Sequence, residues 1–224
     1  SVYRTEVDTS WRIMQTSTHF VSRPFDDVHV MKQERKGRAS VVFVDRRSRS
    51  LSVTTSIAGD SIRFLQTVDL ALDPTGFVAE DITNDGLADI LMYDRNTPGI
   101  VPIIARPNGT FAIRKEIAPD DLVGAMCVTS LNQDGVKDIV LYDWVKSELH
   151  LWYGVGNGRF LDQGIYGIEG VVDTILSVRL QRRSMGEFLV GILEPPRVDY
   201  WRGNDLGEFT VVGSIALDTT SSAV

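Results

Sequence analysis

The chain has 224 residues, a net charge of −7 and a single cysteine. The acidic balance argues against nucleic-acid binding, which needs a basic face. Cys127 alone allows no intrachain disulfide, and no apolar run approaches the roughly 18 residues of a membrane-spanning helix. Apolar content of 43% is that of a globular protein, and the frequency of Gly, Val, Ile, Thr and Asp favours strands and turns.

From its start, the chain shows no leader pattern. Ser1 to Thr5 already read as folded protein, and the chain is expected to be a mature or excised piece of something larger. Phe111, Phe160 and Phe209 recur at intervals of 49 residues, as do Trp152 and Trp201, Asp45, Asp94 and Asp143, and Gly37, Gly86 and Gly135. Agreement of independent positions on one period marks a repeat architecture. Ile100 and Phe111, moved back by 98 residues, land on Val2 and Ile13. Residues 1–22 therefore read as half a unit, its third and fourth strands only.

The first whole unit, 25–70, offers His29-Val30-Met31, Ser40 to Val44, Leu51-Ser52-Val53 and Ile62-Arg63-Phe64 as strands. The second, 74–118, reads Gly76 to Glu80 as its first strand and Ile90 to Tyr93 as its second, apolar enough to be buried on both faces. Asn96 to Gly99 reads as a turn, Ile100 to Ala105 as the third strand, and Phe111 to Ile117 as the fourth. The third, 123–167, repeats this with Met126-Cys127-Val128, Ile139 to Tyr142, Leu149 to Tyr153 and Arg159-Phe160-Leu161. The fourth, 171–216, does so with Ile175 to Val178, Phe188 to Ile192, Val198 to Trp201 and Phe209 to Val212, followed by a tail at 217–224. Four strands in 40 to 50 residues is the size of a propeller blade. The expected fold is all-β, a β-propeller of four-stranded antiparallel blades, four whole and one half. A parallel β-helix is the rival, though its turns are shorter.

Asp81, Thr83, Asp85 and Asp89 place oxygen side chains at positions 1, 3, 5 and 9 of a loop with Gly86 at the sixth, and the Leu87 carbonyl is available at the seventh. Calcium takes six to eight hard oxygens in this manner. Position 12 is Met92 within a strand, so the loop is no EF-hand. In the next unit Ser130, Asn132, Asp134, Val136 and Asp138 occupy the same positions with one carboxylate fewer, which makes a weaker site. Each loop has an alternative reading as an Asx-Gly turn closed by its own hydrogen bonds and holding no metal. The matching positions of the outer units, Lys32, Glu34, Lys36 and Ser40, and Arg179, Gln181 and Arg183, carry cations that repel a metal.

These loops, each followed by an apolar strand and then by Pro107 to Phe111 or Gly156 to Phe160, resemble the FG-GAP and VCBS-type repeats. That resemblance implies a seven- or eight-bladed propeller with structural Ca2+ between the first two strands of a blade. It also implies the settings in which such repeats occur: adhesion receptors, lectin-like proteins and accessory domains of polysaccharide lyases. The function expected from it is a non-catalytic, extracellular or secreted binding or scaffold module that presents a loop face to a protein or carbohydrate ligand. The propeller of a larger polysaccharide-active enzyme and an intracellular scaffold remain the alternatives. No catalytic residue is assigned. Another chain, or further segments of a longer one, is expected to supply the two inner strands absent from the half unit.

Asn108-Gly109-Thr110 reads as an exposed hairpin turn and an N-glycosylation acceptor. Asp45, Asp94 and Asp143 read as caps of the following turn. Trp152 and Trp201 read as packing between units, and Cys127 as a buried small hydrophobe. Of the aromatics that break the repeat, Trp144 and Tyr153 are candidates for stacking on a ligand, with Trp11 and Tyr166 behind them. Arg35 to Arg38, Arg46-Arg47 and Arg182-Arg183 read as solvated turns. Gly154 to Gly158 lies between strands and is no phosphate loop.

Overall fold

A computed structural model describes residues 2–7, 13–19, 25–33, 38–56, 62–180 and 186–217. Eighteen strands run through them and no helix does, so none is long and apolar enough to cross a membrane. Contacts divide the chain into two units, 1–73 with 108–110, and 74–107 with 111–224.

In the first unit β1 (Val2–Val7) and β2 (Ile13–His19) form a two-stranded antiparallel sheet with Val2 opposite His19. They are the two strands expected of the half unit. β3 (Asp27–Gln33), β4 (Arg38–Asp45), β5 (Ser50–Ser56) and β6 (Ile62–Asp69) form a four-stranded meander. Val42, Val44, Leu51 and Val53 are buried in it.

The second unit contains three such meanders. The first joins β7 (Gly76–Glu80), β8 (Asp89–Asp94), β9 (Thr97–Ala105) and β10 (Phe111–Ile113). The second joins β11 (Val123–Thr129), β12 (Asp138–Asp143), β13 (Glu148–Gly154) and β14 (Phe160–Gly167). The third joins β15 (Val172–Val178), β16 (Glu187–Ile192), β17 (Arg197–Gly203) and β18 (Phe209–Ala216). The first strands lie side by side, with β11 between β7 and β15.

Alternation along β11 and β12 sends their side chains into two different cores. Cys127, Val140 and Tyr142 join Ile175, Phe188 and Trp201 of the third meander. Met126, Val128, Ile139 and Leu141 join Leu91, Ile100 and Ile104 of the first. The middle sheet is thus covered on both faces, which explains the unbroken apolar runs. Trp201 meets Tyr166 of the middle sheet edge-on, ring centroids 5.9 Å apart, and Trp152 packs on the other core, so both recurring tryptophans work between sheets. Cys127 is buried, and desolvation pushes its thiol up to about 12.

Two boundaries differ from the sequence reading. β9 begins at Thr97, so the turn before it is Arg95-Asn96, closed by Asp94 rather than by Pro98-Gly99. β10 ends at Ile113 instead of Ile117. There Arg114 donates to the Pro102 carbonyl at 2.8 Å, but Pro102 has no N–H to return, and pairing resumes only at Ile100 and Ile117. Trp11, Glu34 to Gly37, Gln181 to Arg183 and residues 218–224 lie outside the described residues.

Candidate metal centre

The loop from Asp81 to Asp89 connects β7 to β8 and is closed by its own carboxylates. Asp81 Oδ1 accepts the N–H of Asp85 at 3.1 Å and the Thr83 hydroxyl at 3.4 Å, and its Oδ2 accepts the N–H of Gly86 at 2.7 Å. Asp85 Oδ1 accepts the N–H of Leu87 at 2.9 Å. Asp89 is fully buried, and its Oδ2 accepts from Ile82 and Thr83, each at 3.2 Å, while its Oδ1 accepts from Ala105 at 2.8 Å. Asn84 and Gly86 supply the two left-handed residues that bend the chain, at φ 62° and 83°.

The loop from Ser130 to Asp138 repeats the design. Asn132 accepts from the N–H of Asp134 at 3.2 Å and donates to its Oδ2 at 2.9 Å. Asp134 Oδ1 accepts from Val136 at 2.7 Å. The buried Asp138 accepts from Leu131 at 2.6 Å and from Gly154 at 2.8 Å. Gln133 and Gly135 take the left-handed positions.

Desolvation pushes the carboxyls of Asp89 and Asp138 up to about 6. Backbone N–H bonds pull the other way without overcoming it. Asp85 and Asp134 add to the rise by like charge. A dehydrated acid among further acids is the setting that a divalent cation relieves. The donors of the first loop, all hard oxygens, therefore fit calcium in kind and number of charges. Those of the second fit less well, with one carboxylate fewer and Asp134 exposed. In both loops the carboxylate oxygens are turned to N–H groups, and no cluster of three acidic, imidazole or thiol groups converges among the described residues.

The first loop is also buttressed by the neighbouring sheet. Gly158, in the β13–β14 turn, donates to the Ile82 carbonyl at 3.2 Å, and a Cβ there would touch Thr83. Lys137 of the second loop pairs with Glu80 beside Asp81 at 3.3 Å.

A third acid at the same offset, Glu187, escaped the sequence reading. It lies 49 residues past Asp138, is buried, and its Oε2 accepts the N–H of Leu180 at 2.6 Å. The spacing alone contained it, but a glutamate stands there in place of the motif's aspartate. Asp94 and Asp143 cap their turns through Asn96 and through Val145 and Lys146, and Asp45 caps through Ser48.

Asn108 is exposed in its hairpin, and its Oδ1 accepts both the N–H and the hydroxyl of Thr110. Tyr153 and Tyr166 are half-buried and packed against the core, and Tyr166 accepts the N–H of Phe209. Trp144 alone among the described stacking candidates leaves an indole open to solvent.

No protein-family model matches the chain, and no curated protein matches it. Solved structures do. A protein from Lactobacillus plantarum aligns with TM-score 0.66 at 10% identity over 99% of this chain and 64% of its own. BBS1N, crystallised in complex with ARL6DN and soaked with lead, aligns with TM-score 0.59 at 13% identity over 85% of this chain and 56% of its own. A functionally unknown protein from Desulfotomaculum acetoxidans DSM 771 aligns at 0.58 and 12% identity over 94% of this chain and 75% of its own. The chain thus spans less than two thirds of the first two. Together with the four meanders, these likenesses establish a β-propeller fold.

Proposed function

We propose that this chain is a non-catalytic binding or scaffold propeller of the FG-GAP and VCBS kind, stiffened by calcium and working outside the cell, with a loop face for a protein or carbohydrate ligand. The observation that supports this reading is the pair of Asp-rich loops, identical in offset and each closed on a buried carboxylate. Asp81, Thr83, Asp85, Asp89 and the Leu87 carbonyl would hold the tighter ion. Ser130, Asn132, Asp134, Asp138 and the Val136 carbonyl would hold the weaker one. Because Ile82 and Gly158 join the first loop to the next blade, an ion there would stiffen two blades at once.

Thermal unfolding in calcium and in chelator tests this. Ligand at about 100 times its dissociation constant adds roughly 2.7 kcal/mol. The wild type should melt higher in calcium, and Asp85→Ala should lose most of the increment. Equal melting temperatures in both buffers would remove the calcium part of the proposal.

A further inference from the structure

Hairpin turns that face water are ordinarily polar, and the turn after β8 obeys this with Arg95-Asn96. One period later the same turn is Trp144-Val145, and two periods later it contains Leu193. Trp144 is 47% exposed, Val145 58% and Leu193 52%. Val171, in the connection that enters β15, adds a fourth apolar side chain at 52%, and its carbonyl accepts the N–H of Leu193. Contiguous apolar groups left in water on one face mark an interaction site.

The patch borders a cleft of about 360 Å³ whose walls include Trp144, Val171, Tyr142 and Arg95. Its polar parts are fixed in advance. The Trp144 indole N–H donates to the Arg95 carbonyl at 3.0 Å, which sets the ring plane. Arg95 Nη2 donates to the Gly124 carbonyl at 3.1 Å, which holds the exposed guanidinium at the cleft. Gly124 lets Trp144 sit close, since a Cβ there would lie a tight 3.0 Å from that of Trp144. Lys146, the cation on the Trp144 turn, is already committed to Asp121 and Asp143.

We infer that this cleft binds a short protein segment in which an apolar side chain lies beside an acidic one. The apolar group fills the space between Trp144 and Val171, and the carboxylate pairs with Arg95. Rigid aromatic and arginine anchors are what such recognition uses, and guanidinium matches carboxylate in charge and geometry. Val171 and Val172, which line the cleft with the indole, favour a peptide over a saccharide, whose hydroxyls would be left facing them. This rests on the reading of the chain as a binding module but not on calcium.

The test is an array of short peptides that place Leu, Ile, Val or Phe next to Asp or Glu, with matched peptides carrying Asn or Lys in place of the acid. It is probed with the whole chain in calcium and again in chelator, so that failure of the calcium reading is scored separately. The wild type should retain acidic-apolar peptides. Trp144→Ala and Arg95→Glu should each weaken them by about tenfold or more, and Val171→Asp serves as a third, exposed variant. In solution, a retained peptide should shift one of the four tryptophan indole N–H resonances, the one absent from Trp144→Ala. No retained peptide, retention indifferent to all three substitutions, binding to a saccharide array instead, or self-association abolished by Trp144→Ala would each overturn the inference.

Discussion

Asp89, Asp138 and Glu187 accept hydrogen bonds from backbone groups of their own loops at one repeat position. Removing the Asp138 carboxylate strands the N–H groups of Leu131 and Gly154 in a buried site. Each unsatisfied buried donor costs about 1–3 kcal/mol, so Asp138→Ala should lower stability by about 2–6 kcal/mol in urea unfolding without calcium. Asp134→Ala, at an exposed position, should cost about 1 kcal/mol or less under the same conditions. Cys127 gives a pH prediction. Its thiol is raised from 9.0 to about 12 in the folded chain. The neutral form is therefore favoured by folding: this stability is complete below pH 9 and is lost as pH rises towards 12. Iodoacetamide at pH 8 should label the native chain far more slowly than the unfolded one, and equal rates would show that Cys127 is accessible. The turn caps were legible as residues, because an Asp before a turn closes it locally. Glu187 was not, because its longer side chain breaks the motif while preserving the bond.

At the scale of elements, the second strand of each blade carries the packing. β12 turns Leu141 to one neighbouring sheet and Val140 to the other, both fully buried. Leu141→Ala should cost about 2–5 kcal/mol, whereas Ile165→Ala on the exposed side of β14 should cost about 1 kcal/mol or less. Comparable losses at both positions in denaturant unfolding would contradict a core lying between sheets. These strands were legible because burial on both faces leaves an unbroken apolar run. The early end of β10 was not, although its cause, Pro102, stands in the sequence: the break falls on the partner strand rather than on the proline's own.

At the scale of the whole molecule, the repeat period revealed the count of meanders, and the hairpin at β1–β2 matched the half unit expected from its phase. What periodicity could not reveal was the contact made by Gly158 on the first loop, since it joins neighbouring sheets through backbone atoms. That contact makes the loop a joint between blades, and it is there that a bound ion would act on more than its own hairpin. A calorimetric titration of calcium into the purified chain tests this account most directly. Two classes of site are predicted, with the tighter abolished by Asp85→Ala and the weaker by Asp134→Ala. Absence of binding heat, with no change in stability on adding calcium, would contradict it.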